Sequence, residues 1–254
     1  MIFADSFILE AAIATLLSFT PKLGRFGQDI ISYATKTPWI DILITTILWV
    51  PWVFGIAAGG FLGFAVALAA QLLVINIWAL LHEMAYRQSR QGPSIADVHN
   101  HRIGWLRNTI AVWSTVIVIP LFSLIRLAQV TIHPILEWTV DFPKYNHDEW
   151  VNISRQKFNG LIGYDLIWCL YCDWMTGVYS LGAEMLRNVE SFWCPIRFYN
   201  DKKCENCKLD FPDIQKGWIE AGSDMQTVNQ LLQEKYANQP TASWFGHPSR
   251  DPKG

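Results

Sequence analysis

Residues 39–82 form the longest apolar stretch of the chain, and their only formal charge is Asp41, near the start. As a single helix they would extend roughly 65 Å at about 1.5 Å per residue, about twice the thickness of a hydrocarbon core. A helix in a soluble core has no use for such a length. The stretch therefore predicts a hairpin of two membrane-spanning helices over 39–82, with Gly59-Gly60 as the tight turn between them.

The composition supports a membrane location. Hydrophobic residues make up 51% of the 254 residues, only 17% are charged, and the chain carries 13 Trp. Soluble domains have about a quarter charged residues. The net charge of −2 excludes a nucleic-acid binder that depends on basic charge, and the apolar content excludes a disordered chain. We therefore expect the lipid bilayer and other membrane-protein subunits as partners, and no nucleic acid.

A second pattern in the same stretch competes with the turn. Gly55, Gly59, Gly63 and Ala67 recur every four residues, and small residues at this spacing let another helix approach closely. If Gly59 lies in a turn, this ridge is interrupted and its spacing is a coincidence. The sequence leaves both interpretations open.

The remaining apolar segments are shorter. A further span is expected at 108–126, although Pro120 interrupts it and a re-entrant segment is an alternative. The stretch Phe7–Phe19 has 13 residues and contains Glu10, so we interpret it as an interfacial or short buried helix. The expected organisation is an N-terminal interfacial segment (1–37), a transmembrane region (38–140), a Cys-containing helical domain (141–240) and an irregular tail (241–254).

Basic residues flank the hairpin on both sides. Lys22, Arg25 and Lys36 precede it and several arginines follow it, so the positive-inside rule places the loop 83–107 in the cytoplasm of a multi-pass protein. One further crossing would place residues 127–254 outside, whereas a re-entrant segment would leave them inside. The sequence leaves that choice open.

The second half of the chain is more polar but still helical. Residues 160–188 have one apolar side and a second side that includes Asp165, Cys169 and Cys172, while 223–237 has the pattern of another amphipathic helix. Because carboxylates are costly at the bilayer centre, we expect the first of these helices to lie along the interface or against partners. The predicted fold class is an all-α integral membrane protein: two or three transmembrane helices, the hairpin 39–82 and the span 108–126, followed by a Cys-containing, partly interfacial helical domain.

Five cysteines lie in this second half, and four of them form two Cys-x-x-Cys pairs. Cys169 and Cys172 make the first pair, and Cys204 and Cys207 make the second. Two such pairs are typical of a four-thiolate metal site, with zinc as the default metal and iron as the alternative. Cys194 is a candidate substitute ligand.

The cysteine pattern has other interpretations. If residues 127–254 lie outside, two disulfides and one free thiol would account for the same five residues. A helical Cys-x-x-Cys can also be a redox pair. Finally, Cys169 and Cys172 could simply be buried in a packed helix.

No familiar catalytic motif occurs in the sequence. A Gly-rich nucleotide loop, a Walker A motif and a nucleophile elbow are all absent from it, so we expect a non-catalytic protein. His133 and Glu137 stand four residues apart, where both side chains could ligate one ion. Together with the cysteines, they are the candidate ligands of an alternative function, a redox or electron-transfer subunit that uses iron or copper.

The function that the sequence favours is a structural or assembly subunit of a larger membrane complex. The spans are too few to enclose a transport path, and Gln71 and Asn76 need hydrogen-bond partners that lipid does not supply. In this interpretation the metal site helps to fold the second half of the chain. A third hypothesis is an oligomeric carrier or channel with Asp41, Gln71 and Asn76 in its path.

Overall fold

The computed structural model describes residues 1–210 and 217–237, and for Pro21, Lys22, Cys207, Lys208 and Asp210 it describes the main chain only. Within these residues the chain is helical, with two isolated β-bridges and no β-strand, which confirms the all-α prediction. The predicted tail 241–254 lies outside the described residues. The helices are α1 (Ile2–Phe19), α2 (Gly24–Ala34), α3 (Trp39–Tyr86), α4 (Ile95–Ile103), α5 (Trp105–Ser114), α6 (Ile119–Thr131), α7 (His133–Val140), α8 (His147–Trp150), α9 (Gly163–Trp193), α10 (Asp201–Asp210) and α11 (Met225–Tyr236).

Three helical stretches among the described residues are long and apolar enough to cross a membrane. They are Ile2–Phe19, Trp39–Ser89 and Trp105–Val140. The last contains α5, a turn of 3₁₀-helix (Thr115–Val118), α6 and α7, so the helical stretch around the predicted span 108–126 is longer than the sequence indicated. The length and composition expected of a multi-pass membrane chain are therefore present.

The helix α3 is a hairpin, as the sequence predicts. Gly59 (φ −155°, ψ 19°) and Gly60 (φ 58°, ψ −141°) leave the helical conformation and separate two arms, 39–58 and 61–86. The positive φ of Gly60 is a conformation that residues with a Cβ rarely adopt. Glycine at this position therefore permits the sharp reversal.

The ridge of small residues is real as well, because the turn brings its members face to face. A Cβ added to Gly55 would lie 2.5 Å from the carbonyl oxygen of Gly63, and 3.1 Å from the Cβ of Ala67. The four-residue spacing thus lines the inner side of both arms rather than one face of one helix. The sequence analysis treated the turn at Gly59-Gly60 and the ridge of small residues as alternatives. In the hairpin both are present.

The helix α1 lies against the hairpin, parallel to its second arm. The Cδ1 atom of Ile2 lies 3.4 Å from the position a Cβ would take on Gly63, and Ser18 Oγ accepts a hydrogen bond from Trp78 Nε1 at 2.8 Å. The structure extends this helix to Ile2 from the Phe7–Phe19 of the sequence prediction, and 18 residues are long enough to cross a hydrocarbon core when so apolar. We call the end with Gly59 and the start of α1 the tip, and the opposite end the base.

The polar side chains of these three helices find partners inside the chain. Gln71 Nε2 donates to the carbonyl oxygen of Ile47 at 2.6 Å, and Gln71 Oε1 accepts from Trp52 Nε1 at 2.9 Å. Glu10 of α1 is also buried, and its carboxyl group interacts with the Gln71 side chain. These contacts tie α1 and both arms of α3 together, so they provide the hydrogen bonds that the sequence analysis expected from other subunits.

The chain divides into two compact units. Unit 1 comprises Met1–Ser123 and His147–Val178, and unit 2 comprises Leu124–Asn146 and Tyr179–Gly254. In unit 2, the ring of Phe142 contacts Phe192 and Trp193, with centroids 5.3 and 5.7 Å apart. Helix α9 contributes residues to both units, and it covers most of the predicted helix 160–188. Helix α11 lies within the predicted helix 223–237.

Candidate functional site

A cavity of about 740 Å³ lies in unit 1, with walls from α3, α4, α5, α9 and the turn at Arg155. The cavity contains the first cysteine pair in its wall. Most of the wall is aromatic or aliphatic, and we take this cavity as the candidate functional site. Its aromatic members are Trp105, Trp113, Tyr164, Trp168 and Tyr171.

Helix α9 places the cysteines toward the cavity because its other side is buried. Trp174, Val178 and Leu181 are 0 to 1% exposed and form the packed side that the sequence pattern indicates. Cys169 and Cys172 lie on the other side and line the cavity. The helical period of 3.6 residues therefore fixes which side chains of α9 meet the open space.

Asp165 holds α4 in place over the cavity. Its Oδ2 accepts a hydrogen bond from the main-chain N–H of Ile95 at 2.9 Å, and its Oδ1 accepts from that of Ala96 at 3.4 Å. These are N–H groups of the first turn of α4, which have no partner within their own helix and favour a negative charge nearby. The sequence analysis used this carboxylate as evidence against a helix at the bilayer centre. In the structure it accepts hydrogen bonds from the N-terminus of α4.

Two more hydrogen bonds join the walls of the cavity. The Tyr164 hydroxyl donates to Asn76 Oδ1, and Asn108 Nδ2 donates to Asn100 Oδ1 at 2.9 Å. Burial, with a smaller contribution from the Glu83 carboxylate, raises the pKa of Tyr164. The hydroxyl therefore keeps its proton and remains a donor to Asn76.

Arg155 is positioned by Asp173 of α9. Asp173 Oδ2 accepts hydrogen bonds from the main-chain N–H of Ser154 at 2.7 Å and of Arg155 at 3.0 Å, and from the Ser154 hydroxyl at 3.1 Å. The Arg155 guanidinium interacts with the thiol of Cys172, and this interaction raises the pKa of the arginine. A guanidinium carries five N–H donors, so this contact leaves others available.

The thiol of Cys169 is not activated by its surroundings. Burial raises its pKa, and the nearby Arg155 opposes this effect without reversing it. Because the thiolate is the nucleophile and the metal ligand, Cys169 without a bound metal is a poor nucleophile at neutral pH. Cys169 in these surroundings is therefore not the activated thiolate of a cysteine enzyme.

The hydroxyl of Tyr171 is a donor without an acceptor. Tyr171 is one of the residues that line the cavity, but its hydroxyl oxygen is buried away from the open space and has no hydrogen-bond partner. Burial, with a smaller effect of Cys172, raises the pKa of Tyr171, so the group stays protonated. Buried polar groups in folded proteins nearly always have a partner, and this exception lies at the cavity.

The predicted metal ligands are distributed over the two units. Cys169 and Cys172 belong to unit 1, Cys204 belongs to unit 2, and the side chain of Cys207 lies outside the described residues. Cys204 Sγ donates to the carbonyl oxygen of Phe198 at 3.2 Å, and Cys194 is exposed. Among the described residues, His, Cys, Asp and Glu form no cluster of three or more that could hold a metal ion. The four-thiolate site thus stays a prediction.

The second cysteine pair lies on a helix. Cys204 and Cys207 are both in α10. The structure describes the side chains of 201–206 in this helix and only the main chain of Cys207. Because α10 is polar, its sequence has no periodic apolar pattern from which a helix could be predicted.

The histidines that the sequence singled out have structural contacts. His133 Nδ1 lies 2.9 Å from Glu137 Oε1, while its Nε2 is buried without a hydrogen-bond partner, and its ring is 5.2 Å from that of Tyr145. His82 Nδ1 accepts the main-chain N–H of Gly163 at 3.2 Å and so anchors the start of α9. The pairing of His133 with Glu137 is therefore present, with two donor residues rather than a full ligand set among the described residues.

Sequence reasoning missed Arg155, Tyr171 and the tryptophans as parts of one site. They come from segments separated by up to about 70 residues, and none of them belongs to a local motif. The sequence pattern indicated only one part of this site, the side of α9 that carries the cysteines. Comparisons with protein-family models, with curated proteins and with solved structures found no match to this chain.

Proposed function

We propose that the chain is a non-catalytic structural or assembly subunit of a larger membrane-protein complex. The observation that carries this proposal is an exposed apolar seam on α9, which we define as Tyr179, Leu186 and Trp193. Their exposed fractions are 65%, 55% and 53%. Helix α9 is not among the helices apolar enough to cross a membrane, and we assign the cover of this seam to a partner protein.

The spacing of the seam fits a partner helix. Its members recur every seven residues, and a seven-residue repeat keeps side chains on one face when two helices wrap around each other. The neighbouring Leu181, Met185 and Asn188 are buried within this chain, so the seam is the side of α9 that its own fold does not cover. Large exposed apolar residues in a row commonly mark a protein interface.

The distribution of basic residues supports an orientation for this subunit. Arg25, Lys36, Arg87 and Arg90 all flank the base of the α1–α3 assembly in the sequence. The tip carries no Lys or Arg within α1 or the turn of α3. By the positive-inside rule the base, and with it the loop 83–107, faces the cytoplasm.

Site-specific photo-crosslinking in native membranes tests the proposal. A benzoylphenylalanine at position 186 should form a crosslink to one discrete protein of larger mass, and the same probe at Met225 should not. Met225 is a matched control because it is also exposed, at 64%, and lies on α11 outside the seam. Crosslinking to lipid alone from position 186 would contradict a subunit role.

A charge in the seam provides a second measurement. The substitution Leu186→Glu should release the chain from its assembly and lower its apparent mass on native gels. Phe158→Glu is the matched control, because Phe158 is 69% exposed but lies outside α9. An unchanged native mass in Leu186→Glu at normal expression would show that this face is not an interface.

A further inference from the structure

We propose that Glu10 is a proton-binding site inside the assembly of α1 and the two arms of α3. Its carboxyl group holds a proton at neutral pH and releases it in alkaline solution. This inference concerns a different part of the chain from the seam on α9, and it is independent of any partner bound there.

Glu10 lies midway along a helix of membrane-crossing length. It follows Ile2 by eight residues and precedes Phe19 by nine, in an apolar helix of 18 residues. The residue is only 4% exposed, so it is turned into the assembly. Ionisable residues at this depth are rare in membrane helices, and they commonly mark proton or ion sites.

The contacts between α1 and the second arm of α3 determine what Glu10 faces. Ile2 lies beside Gly63 near the tip, and Ser18 is hydrogen-bonded to the same arm near the base. Between these two contacts the parallel register places Glu10 beside Gln71, and the two side chains interact. The carboxyl group therefore lies within the assembly, where all three helical segments meet.

The apolar parts of α1 and α3 offer no positive side chain to neutralise a Glu10 carboxylate. Residues 2–19 and 38–81 contain no Lys, Arg or His. The 3₁₀ turn Thr20–Leu23 also packs against α1, and its Lys22 stands twelve residues after Glu10, roughly 18 Å along a helix at about 1.5 Å per residue. Burying a carboxylate without a counter-charge is so costly that the group takes up a proton instead.

The other ionisable groups of these two helices do not face Glu10. Asp5 of α1 is exposed. Those of α3 lie toward the base, at the outer ends of its two arms: Asp41, His82, Glu83 and Tyr86. The protonation of Glu10 therefore depends on its burial rather than on a charged neighbour.

Ser6 forms a polar pair with Glu10 in the interior of the assembly. Ser6 is 3% exposed and lies one turn before Glu10, on the same side of α1. Its Oγ and the Oε1 atom of Glu10 are both buried without a hydrogen-bond partner, which is unusual in a folded protein. A protonated carboxyl and a hydroxyl can each donate and accept, and such a pair carries no charge. A proton is thus sufficient to complete this site.

Labelling with dicyclohexylcarbodiimide tests the proposal, because this apolar reagent adds to protonated carboxyl groups. The full chain is labelled in phosphatidylcholine vesicles at neutral pH, and modified residues are identified by peptide mass spectrometry. We expect Glu10 to be modified at least tenfold faster than Asp29, an exposed carboxyl on α2. Glu10→Gln should remove the modification. Asp5→Asn is the matched control, because Asp5 is exposed on the same helix, and it should leave the labelling of Glu10 unchanged.

The dependence of this labelling on pH and on sodium distinguishes a proton from a metal cation. The rate at Glu10 should fall at least tenfold from neutral to alkaline buffer, and sodium chloride in place of choline chloride should not change it. Slower labelling in sodium would show that the carboxylate holds a metal cation. That result, equal rates at Glu10 and Asp29, or a rate at Glu10 that does not change with pH would overturn the proposal.

Thermal unfolding in detergent provides an independent measurement. If the folded chain binds a proton at Glu10 that the unfolded chain has lost, stability must fall as pH rises. The melting temperature of the unaltered chain should therefore fall from neutral to alkaline buffer. Glu10→Gln, which is similar in size and uncharged, should reduce this fall, and Asp5→Asn should not. An equal fall in the unaltered chain and in Glu10→Gln would contradict the proposal; if Glu10→Gln does not fold, labelling of the unaltered chain decides.

Discussion

Gly63 stands so close to Gly55 that a Cβ on Gly63 would lie 2.0 Å from the Gly55 carbonyl oxygen. The two residues lie on opposite arms of α3, four residues before and three after the Gly59-Gly60 turn. Their contact is between main chains, which side-chain rearrangement does not relieve. Glycine at both positions is therefore a requirement of the closed hairpin.

The first prediction follows from this contact. Gly63→Ala should force the arms apart and lower the free energy of unfolding by about 1–3 kcal/mol or more, the usual cost of overpacking. Thermal unfolding in detergent, followed by tryptophan fluorescence, measures the change. Gly222→Ala is the control, because no atom lies within 4 Å of its added Cβ; equal melting temperatures for the two variants would disprove the close approach.

The second prediction concerns Gln71, which joins the two arms of α3. Gln71→Leu should leave the Ile47 carbonyl and the Trp52 indole N–H without a hydrogen-bond partner. Each buried polar group left unpaired lowers the free energy of unfolding by about 1–3 kcal/mol. The melting temperature should fall well below that of Gln88→Leu, a change at an exposed position. A fall no larger than in this control would mean that the hydrogen bonds contribute nothing.

The third prediction concerns the capping of α4 by Asp165. Asp165→Ala should remove both acceptors from the first turn of α4 and destabilise it by about 1–3 kcal/mol. Hydrogen exchange at the amides of Ile95 and Ala96 should accelerate, while exchange in α11 stays as it was. Asp29→Ala, at an exposed position of α2, is the control and should protect both amides as the unaltered chain does.

The fourth prediction is a dependence on pH at the same helix terminus. Hydrogen bonds from the Ser94 side chain and main chain hold the pKa of Asp97 below its ordinary value. A carboxyl whose pKa is lowered on folding stabilises the fold fully above its unfolded pKa, about 3.9, and loses that contribution as pH falls through the lower folded pKa. The difference in melting temperature between the unaltered chain and Asp97→Asn should thus be greatest near neutral pH and disappear in strong acid.

The contribution of Asp97 should also require Ser94. In a Ser94→Ala background, Asp97→Asn should change the melting temperature less than it does in the unaltered chain, because the Ser94 side chain no longer lowers the pKa of the Asp97 carboxyl. A difference between the Asp97 variants that stays constant from neutral pH to strong acid would contradict the assignment.

The fifth prediction concerns metal content. Elemental mass spectrometry of the non-reduced, detergent-purified chain should find about one zinc per chain, and Cys204→Ser or Cys207→Ser should remove it. Cys194→Ser is the control and should retain it. Iron or copper instead would favour the electron-transfer alternative, at these cysteines or at His133 and Glu137, and absence of all three metals would leave disulfides or free thiols as the account of the cysteines.

The sequence predicted the hairpin and its turn from local features. Comparing the length of the apolar stretch with the thickness of a bilayer requires no tertiary information. A turn at Gly59-Gly60 divides the stretch into two arms that are each long enough to cross the hydrocarbon core. The buried side of α9 was equally accessible, since Trp174, Val178 and Leu181 follow the helical period. What the sequence misjudged was the ridge of small residues, because its meaning changes once the chain folds back at Gly59.

The chain by itself thus determined an all-helical protein with membrane-length helices, and the side of α9 on which Cys169 and Cys172 lie. Tertiary structure alone decided that Arg155, Tyr171 and Cys172 line one aromatic cavity, and that Gln71 forms its hydrogen bonds within the chain. Helical period and apolar length are properties of neighbouring residues, so a sequence displays them directly. A cavity depends on how helices far apart in the sequence cross, and that geometry exists only when all of them have packed.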